Sequence, residues 1–264
     1  MAFASISGVT LHYRLAGARE GLPLVLVNSL GTDLRIWEDV EPLLSSGHRI
    51  LSYDKRGHGL SDVPPGPYAL DDHVGDLLGV AEFCDFTRFA LCGISIGGMI
   101  AMRFAALYPD KLASLVLCDT GAAIGKAEAW NERIATVRKG GMTAIADAVM
   151  DRWVSPGYRQ RRPAAFAGWR TMLERCSPEG YVASCATVRD TNLSTDLPRI
   201  TAPTLVIVGD SDVSTPLPLA QHLADTIPHA ELRQISSAGH VPAIEQPEAL
   251  ATLIRDHLNE VVHV

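Results

Sequence analysis

The chain alternates between two kinds of hydrophobic pattern. Short apolar runs rich in branched residues occur at positions 24–27, 49–53, 89–93, 112–117 and 204–208. Longer stretches carry apolar residues at helical spacing, near 37–44, 70–83, 97–108, 217–225 and 247–261. Near-continuous hydrophobicity is typical of strands that are covered on both faces. The sequence therefore predicts an α/β fold, in which a mostly parallel central sheet is flanked by helices. Residues 9–15 alternate instead, and we expect them to form an antiparallel edge strand.

One long segment, from about 121 to 193, breaks this rhythm. It has no strand-like run, and Ala, Arg, Glu and Trp recur there at helical spacing, with breaks at SPG (155–157) and SP (177–178). We interpret it as a helical lid, or cap, inserted after the strand at 112–117, with the sheet resuming near Ala202. The predicted organisation is a core domain of residues 1–120 and 194–264 and a cap of residues 121–193.

Charge is distributed unevenly between these two parts. The net charge of the 264 residues is −7, which argues against a nucleic-acid partner. Residues 121–193 hold 11 Lys and Arg against 7 Asp and Glu, a net of +4, so the rest of the chain carries −11. The cationic cap either attracts an anion or is an arginine-rich solvated face.

Composition and cysteine usage predict the compartment. Five cysteines, an odd number without C-x-x-C spacing, fit a reducing environment, and Cys92 and Cys118 lie in apolar runs as small buried side chains. The first residues lack the basic start and apolar stretch of a signal peptide, and no run has the roughly 18 apolar residues of a membrane span. We expect a cytoplasmic protein with no membrane partner. The oligomeric state is not predicted.

The pattern GISIG at positions 93–97 lies where a predicted strand ends and a predicted helix begins. A nucleophilic serine at such a junction needs a sharp turn with small neighbours, because the backbone passes close to itself. Gly93, Gly97 and Gly98 provide that room, and Ser95 would stand at the carboxyl edge of the sheet. The alternative is a glycine-rich turn with a capping serine, but the flanking strand and helix favour a nucleophile.

A serine hydroxyl needs an imidazole to take its proton, and the imidazole needs a carboxylate to fix its tautomer. His240 follows SSAG in a loop before a predicted helix, where a histidine has little structural purpose. Asp210 and Asp212 both come directly after the strand at 204–208. We favour Asp212, because Asp210 directly follows the strand glycine and is better placed to brace the loop. His58 is the best rival histidine, but it precedes the serine, whereas the expected order is Ser, acid, His.

The oxyanion of such a reaction needs backbone N–H donors. One is expected from Ile96, the residue after Ser95. The other is expected from the loop NSLG at 28–31, with the Leu30 amide as the candidate, although this loop is also explained by a simple glycine turn. No clustered ligand set suggests a metal or an organic cofactor.

Two further motifs make a family resemblance specific. DKRGHGLS at 54–61 resembles the D-x-R-G-x-G-x-S turn of the α/β-hydrolases, and AGH at 238–240, with Glu245 and Pro247, resembles the loop that carries their histidine. The body of the chain, about 9–119 and 202–258, is similar to the esterase and lactonase branch of this family. The resemblance implies an α/β-hydrolase fold and a catalytic triad of Ser95, Asp212 and His240.

Within that branch, three stretches are similar to the 3-oxoadipate enol-lactonases of aromatic catabolism. They are NSLGTD at 28–33, YDKRGHG at 53–59 and GISIGGM at 93–99. Many α/β-hydrolases have His-Gly in the oxyanion loop, whereas NSLG suits the lactonase group. The resemblance implies a carboxylic ester hydrolase that opens the enol-lactone of 3-oxoadipate in the β-ketoadipate pathway, through an acyl-enzyme on Ser95.

That small lactone is anionic, and its carboxylate needs a partner in a mostly apolar pocket. The planar fork of arginine matches a carboxylate through two hydrogen bonds, and the cap supplies candidates. Trp130 and Arg133 are three positions apart and would share one face of a helix. We predict that Arg133 reaches the carboxylate, that Trp130 packs over the ligand, and that Trp153 and Trp169 belong to the wall.

Other functions stay open on the sequence. They are a related carboxylesterase or a carbon–carbon bond hydrolase of ring-cleavage products, a cofactor-free haloperoxidase-like activity, and a small-molecule receptor that hydrolyses slowly. A receptor would react about once per molecule, whereas an enzyme cycles on the order of once per second or faster. A dehalogenase is disfavoured, because it needs a carboxylate where this chain has Ser95.

Overall fold

Apolar runs of the sequence become the strands of an eight-stranded sheet in the computed structural model, which describes residues 2–18 and 20–262. Met1, Arg19, His263 and Val264, which the predicted domains include, lie outside the described residues. The strands are β1 (Ala2–Ile6), β2 (Val9–Gly17), β3 (Leu24–Val27), β4 (Arg49–Tyr53), β5 (Phe89–Ile94), β6 (Leu112–Cys118), β7 (Thr204–Gly209) and β8 (Ala230–Ile235). Their order in the sheet is β1-β2-β4-β3-β5-β6-β7-β8.

The strands from β3 onward run parallel to one another, whereas β1 and β2 are antiparallel to their neighbours. Every residue of β3, β5, β6 and β7 is buried, because helices cover both faces of the sheet at its centre. The five predicted strands are present with ends within one residue of the expected ones. The predicted mostly parallel sheet is therefore confirmed.

The prediction that residues 9–15 form an edge strand was wrong in one respect. They lie in β2, which is antiparallel as expected, but β1 pairs along its outer side, with Ala4 opposite Leu11. The turn between the two strands, Ser7 and Gly8, has positive φ at both positions (49° and 85°), the conformation that matches the twist of a tight hairpin. This hairpin places β1 at the edge instead.

Helices fill the intervals between the strands. The α-helices are α1 (Glu41–Leu44), α2 (Leu70–Phe83), α3 (Ile96–Leu107), α4 (Ala127–Gly140), α5 (Ala146–Trp153), α6 (Tyr158–Arg161), α7 (Pro163–Glu174), α8 (Pro178–Asp190), α9 (Leu217–Thr226), α10 (Pro242–Glu245) and α11 (Pro247–Val262). Short 3₁₀ helices occupy Leu34–Trp37, Pro109–Lys111, Met142–Ala144 and Leu197–Arg199. The helix expected over 37–44 is divided into a 3₁₀ turn and α1, because Pro42 in the first turn of α1 interrupts the helical hydrogen bonds.

Five helices, α4 to α8, lie between β6 and β7, and no strand occurs there among the described residues. The helices are interrupted at the SPG and SP motifs, as expected. Gly157 has a φ of 87°, and Ser177 caps α8 by accepting a hydrogen bond from the Gly180 amide at 3.2 Å. The division into a core domain and a cap stays a prediction, and "cap" below denotes residues 121–193.

Two remaining expectations concern cysteines and the membrane. All five cysteines are buried free thiols, and the sulfur atoms of Cys92 and Cys118 lie 4.0 Å apart in the core. Across residues 2–18 and 20–262, no helix has the length and apolar character needed to cross a membrane. The carboxyl ends of the parallel strands β3, β5, β6 and β7 meet at one edge of the sheet, under the cap helices, and this edge carries the polar residues considered next.

Candidate active site

Ser95 occupies the junction between β5 and α3 in a conformation that is rare for a residue with a side chain. Its φ and ψ are 58° and −120°, a strained combination that persists only where the surroundings enforce it. A side chain at Gly97 would collide with the carbonyl of Val27, and one at Gly93 would collide with the backbone of Gly97. The Thr120 hydroxyl donates to the Ser95 carbonyl at 2.7 Å. These contacts hold Ser95 in the sharp turn that the sequence predicted.

His240 and Asp212 lie together beyond the ends of β8 and β7. Nδ1 of His240 is 2.9 Å from Oδ2 of Asp212, and both side chains are buried. Asp212 also accepts from the Thr215 hydroxyl at 2.5 Å and from the amides of Ser214 and Thr215 at 2.7 and 3.1 Å. Burial opposes ionisation of Asp212, but the nearby His240 and these donors outweigh it and hold its pKa well below the usual range. Asp212 therefore presents a fixed negative charge to the imidazole.

The structure brings Asp212, not Asp210, to His240. Asp210 is exposed, and it accepts hydrogen bonds from the backbone of Ser237 and from the Ser211 hydroxyl, which lower its pKa. It braces the loop that carries the histidine, residues 236–241, called the histidine loop below. The rival His58 is fully buried and accepts a hydrogen bond from the Gly31 amide at 3.0 Å.

Ser95 and His240 line the same cavity, which holds about 110 Å³. Four other predicted site residues line it as well: Leu30, Trp130, Arg133 and Trp153. Asp212 stands behind His240 rather than at the cavity wall, as suits a residue that acts on the imidazole. Trp169, also expected in the wall, is not among the lining residues.

One predicted oxyanion donor, Ile96, follows Ser95 in the chain, and the other, Leu30, lines the same cavity as Ser95. Ile96 is the first residue of α3, so its amide has no partner within the helix. Leu30 lies in the loop after β3, residues 28–31, called the oxyanion loop below. In the part of the chain that the structure describes, neither amide donates to another protein group. Two free N–H groups are thus available beside the candidate nucleophile.

Arg133 and Trp130 share one face of α4, as their spacing predicts. The Arg133 guanidinium carbon lies 4.8 Å from the centroid of the Trp130 ring, a cation–π arrangement that orients the arginine. Its charge also acts on the buried phenol of Tyr181, whose pKa is nevertheless raised by burial. Arg133 therefore lies in the cavity wall with its direction fixed by two aromatic side chains.

The chain is similar to known proteins over most of the strands and helices described above. The model of the Alpha/beta hydrolase family matches residues 24–253. This chain belongs to the α/β hydrolase family. A curated relative, 3-oxoadipate enol-lactonase 2 of Acinetobacter baylyi, is 33% identical over 241 residues, which cover 91% of this chain and 90% of the relative.

Two solved structures of α/β hydrolases are also similar to this chain. The enol-lactonase from Burkholderia xenovorans LB400 is 36% identical with a TM-score of 0.95, covering 98% of this chain and 100% of its own. A thermophilic esterase from Thermogutta terrifontis, solved with malate bound, is 31% identical with a TM-score of 0.92, covering 98% of both chains. The predicted fold and family resemblance are confirmed.

Arg152 and Tyr181 are among the residues of the cavity wall in this α/β hydrolase that sequence reasoning missed. Several cap arginines outside the cavity form ion pairs, such as Arg170 with Asp147 and Arg189 with Asp190. Within the described residues, Arg133 and Arg152 form no such pair. Their positions depend on how α4, α5 and α8 pack, which helical periodicity alone does not give.

Asp119, at the end of β6, is a third carboxyl group behind the triad residues. It is fully buried, Oδ1 accepts the Gly209 amide at 2.8 Å, and Oδ2 has no hydrogen-bond partner among the described residues. Burial and the Asp212 charge raise the pKa of Asp119 well above its usual value. Burial beside an ionised carboxylate therefore favours the protonated form of Asp119 over the charged form. Its place directly after a predicted strand was the signal available in the sequence.

Proposed function

We propose that this protein is a serine hydrolase of ester and lactone bonds, in which Ser95 attacks, His240 moves the proton and Asp212 orients the imidazole. One observation carries the proposal. Ser95, in a strained turn, and His240 line one cavity, and His240 is hydrogen-bonded to an ionised Asp212 on its far side. This arrangement supplies a nucleophile, a base and a group that orients the base.

The reaction proceeds in two halves. The Ser95 hydroxyl attacks the carbonyl carbon while Nε2 of His240 accepts its proton, and the resulting oxyanion collapses as the ester C–O bond breaks. His240 returns the proton to the leaving oxygen, which leaves an acyl group on Ser95. A water molecule, activated by the same histidine, then releases the acid and regenerates the serine.

The amides of Leu30 and Ile96 are the donors that stabilise the oxyanion. They need no reorganisation during the reaction, because the Leu30 loop directly follows β3 and Ile96 is the first residue of α3. Such preorganised donors contribute most of the transition-state stabilisation in many acyl-transfer enzymes.

The substrate that we propose is the enol-lactone of 3-oxoadipate, opened to 3-oxoadipate in the β-ketoadipate pathway in the cytoplasm. The enol-lactonases of Acinetobacter baylyi and Burkholderia xenovorans, similar over nearly the whole chain, support this choice. The two unpaired arginines of the cavity wall, Arg133 and Arg152, support an anionic substrate. Trp130 and Trp153 supply apolar walls for the ring. The leaving group is an enol, which departs more easily than an alkoxide and then becomes a ketone.

A carboxylesterase for neutral esters is the second candidate. The similar esterase from Thermogutta terrifontis favours it, and so do the apolar walls of the cavity. The two candidates share the chemistry at Ser95 and differ in whether Arg133 and Arg152 bind a substrate carboxylate.

The experiment offers the purified protein the enol-lactone of 3-oxoadipate and a neutral ester of similar size. We expect a higher kcat/KM on the anionic lactone and no turnover of either substrate by Ser95→Ala. A preference for the neutral ester would overturn the substrate, whereas activity retained by Ser95→Ala would overturn the mechanism.

A further inference from the structure

Lys55 is a fully buried lysine that the mechanism above does not use. It follows β4, and its side chain is 0% exposed. Its ammonium donates to the carbonyl of Asn28 at 2.8 Å and to that of Ser29 at 2.9 Å. An ammonium in the interior loses its hydration, so it is retained only where specific acceptors compensate. Both acceptors belong to the oxyanion loop, 26 and 27 residues away in the sequence.

The carbonyl of Ser29 and the amide of Leu30 belong to the same peptide group. In a trans peptide these two bonds point in opposite directions, so a group that fixes the carbonyl also fixes the N–H. Ser29 and Leu30 both line the cavity with Ser95, and the Lys55 ammonium holds the carbonyl side of that peptide. The Leu30 N–H is therefore directed by a contact outside the cavity.

Other contacts hold the same loop without a charge. The Ser29 carbonyl also accepts from Thr32, from its hydroxyl at 2.9 Å and from its amide at 3.4 Å, and the Gly31 amide donates to Nε2 of His58 at 3.0 Å. Burial and the charge of Lys55 lower the pKa of His58 to about 3, so this imidazole is neutral and accepts the bond. Lys55 is thus the cationic member of a set of otherwise neutral contacts.

We propose that Lys55 is a positioning residue for hydrolysis, whose buried ammonium orients and polarises the Ser29–Leu30 peptide so that the Leu30 N–H stabilises the oxyanion. The proposal rests on the proposed function, because it needs an oxyanion beside Ser95. A positive charge on the carbonyl side of a peptide strengthens the hydrogen bond that its N–H donates. Lys55 acts through Leu30 and does not touch the substrate.

Lys55 loses its proton, and with it its charge, near neutral pH. Burial lowers its pKa to about 7, against the opposing effect of Asp54, Cys176 and Asp33. The other titratable groups that face it, His58 and His73, are neutral because burial lowers their pKa values too. A neutral amine still has two N–H bonds for the two carbonyls, so a rise in pH removes the charge and leaves the positioning contacts.

The test compares Lys55→Met, which has a similar length and no charge, with Thr32→Val, which removes only the neutral hydroxyl that donates to the Ser29 carbonyl. With a neutral ester that is stable in alkali, we expect Lys55→Met to lower kcat about 10- to 100-fold with KM changed less than about twofold. Thr32→Val should lower kcat less than about threefold. The kcat/KM of the unaltered protein should decline above about pH 7, and Lys55→Met should lack this decline.

Each outcome has a definite meaning. A kcat for Lys55→Met within about threefold of the unaltered protein overturns the proposal, as does a decline of kcat/KM above pH 7 that Lys55→Met shows equally. If Lys55→Met does not fold, Lys55→Gln, which keeps a neutral donor, is measured instead, and a kcat within about threefold of the unaltered protein overturns the proposal in the same way. If Ser95→Ala hydrolyses the ester as fast as the unaltered protein, the proposed function fails instead, so the two failures are distinguishable.

Discussion

Glu245 accepts a hydrogen bond from the backbone amide of Ser155 at 2.8 Å, although 90 residues separate the two in the sequence. The same carboxylate accepts the Gly239 amide at 2.9 Å, next to the candidate base His240. A second link is parallel to it, since the Val241 amide donates to the carbonyl of Trp153 at 3.0 Å. The end of α5 and the histidine loop are therefore bound together, and Trp153 lines the cavity.

Removal of the Glu245 carboxylate should disturb the position of His240. The side chain is only 1% exposed, so Glu245→Ala leaves the buried amides of Ser155 and Gly239 without acceptors. Each unsatisfied group costs about 1–3 kcal/mol, and we expect a loss of stability of that order. We also expect kcat to fall about 10-fold or more, measured beside the exposed control Glu248→Gln. Unchanged kcat in Glu245→Ala would show that the histidine loop keeps its position without the link to the cap.

The raised pKa of Asp119 makes a prediction about its amide isostere. In Asp119→Asn the side chain is uncharged, like a protonated carboxyl group, and its oxygen still accepts the Gly209 amide, so kcat should stay within about threefold. Asp119→Ala leaves the buried Gly209 amide without an acceptor and should lower kcat by about 10-fold or more, because the loop that carries Asp212 begins directly after Gly209.

Stability should change with pH in a direction set by the raised pKa of Asp119. Above about pH 4 the unfolded chain releases a proton that the folded chain retains, so this group costs progressively more stability as the pH rises. Asp119→Asn removes that cost. In denaturant unfolding, the free energy of unfolding of Asp119→Asn should rise relative to that of the unaltered protein between pH 5 and pH 8. If the difference between the two free energies is the same at both pH values, Asp119 is ionised in the folded protein.

Local patterns accounted for the parts of the site that lie within one strand–turn–helix unit. Ser95 was predictable because the apolar run of β5, the glycines and the start of α3 are consecutive in the chain. Asp212 and His240 were predictable because each follows a strand and the chain order is characteristic. The hairpin that buries β2 was missed, because β1 is only five residues long and half exposed.

Contacts between distant segments were beyond the sequence. The position of Lys55 against residues 28 and 29, and of Glu245 against Ser155, depends on how loops pack after the sheet has formed. Arg152, an exposed residue of α5, lines the cavity, although nothing in the sequence singled it out from the other arginines of the cap. Periodicity predicts which elements form, whereas these contacts depend on the packing of one element against another.

Substrate selection should depend on the arginines of the cavity. With the anionic enol-lactone, Arg133→Ala should raise KM about 10-fold or more, because a buried carboxylate loses a two-pronged partner. With a neutral ester of similar size the same variant should change KM less than about twofold. Arg152→Ala should show the same contrast, and Arg189→Ala, a cap arginine paired with Asp190, is the matched control. Equal losses on both substrates would mean that the arginines only support the cap.

Lys55 also predicts how stability changes with pH. Its pKa is about 7 in the folded protein, against 10.5 for an ordinary lysine side chain in water, because burial penalises the charged form. Between these values the unfolded chain binds a proton that the folded chain lacks, so the stability due to this group rises with pH, by at most about 1.4 kcal/mol per pH unit. Below pH 7 both states are protonated and the contribution is constant. In denaturant unfolding, the free energy of unfolding of the unaltered protein should therefore rise relative to that of Lys55→Met between pH 7 and pH 9. Between pH 5.5 and pH 6.5 the difference between the two free energies should stay constant. A difference that is the same at pH 7 and pH 9 would show that Lys55 stays charged when buried.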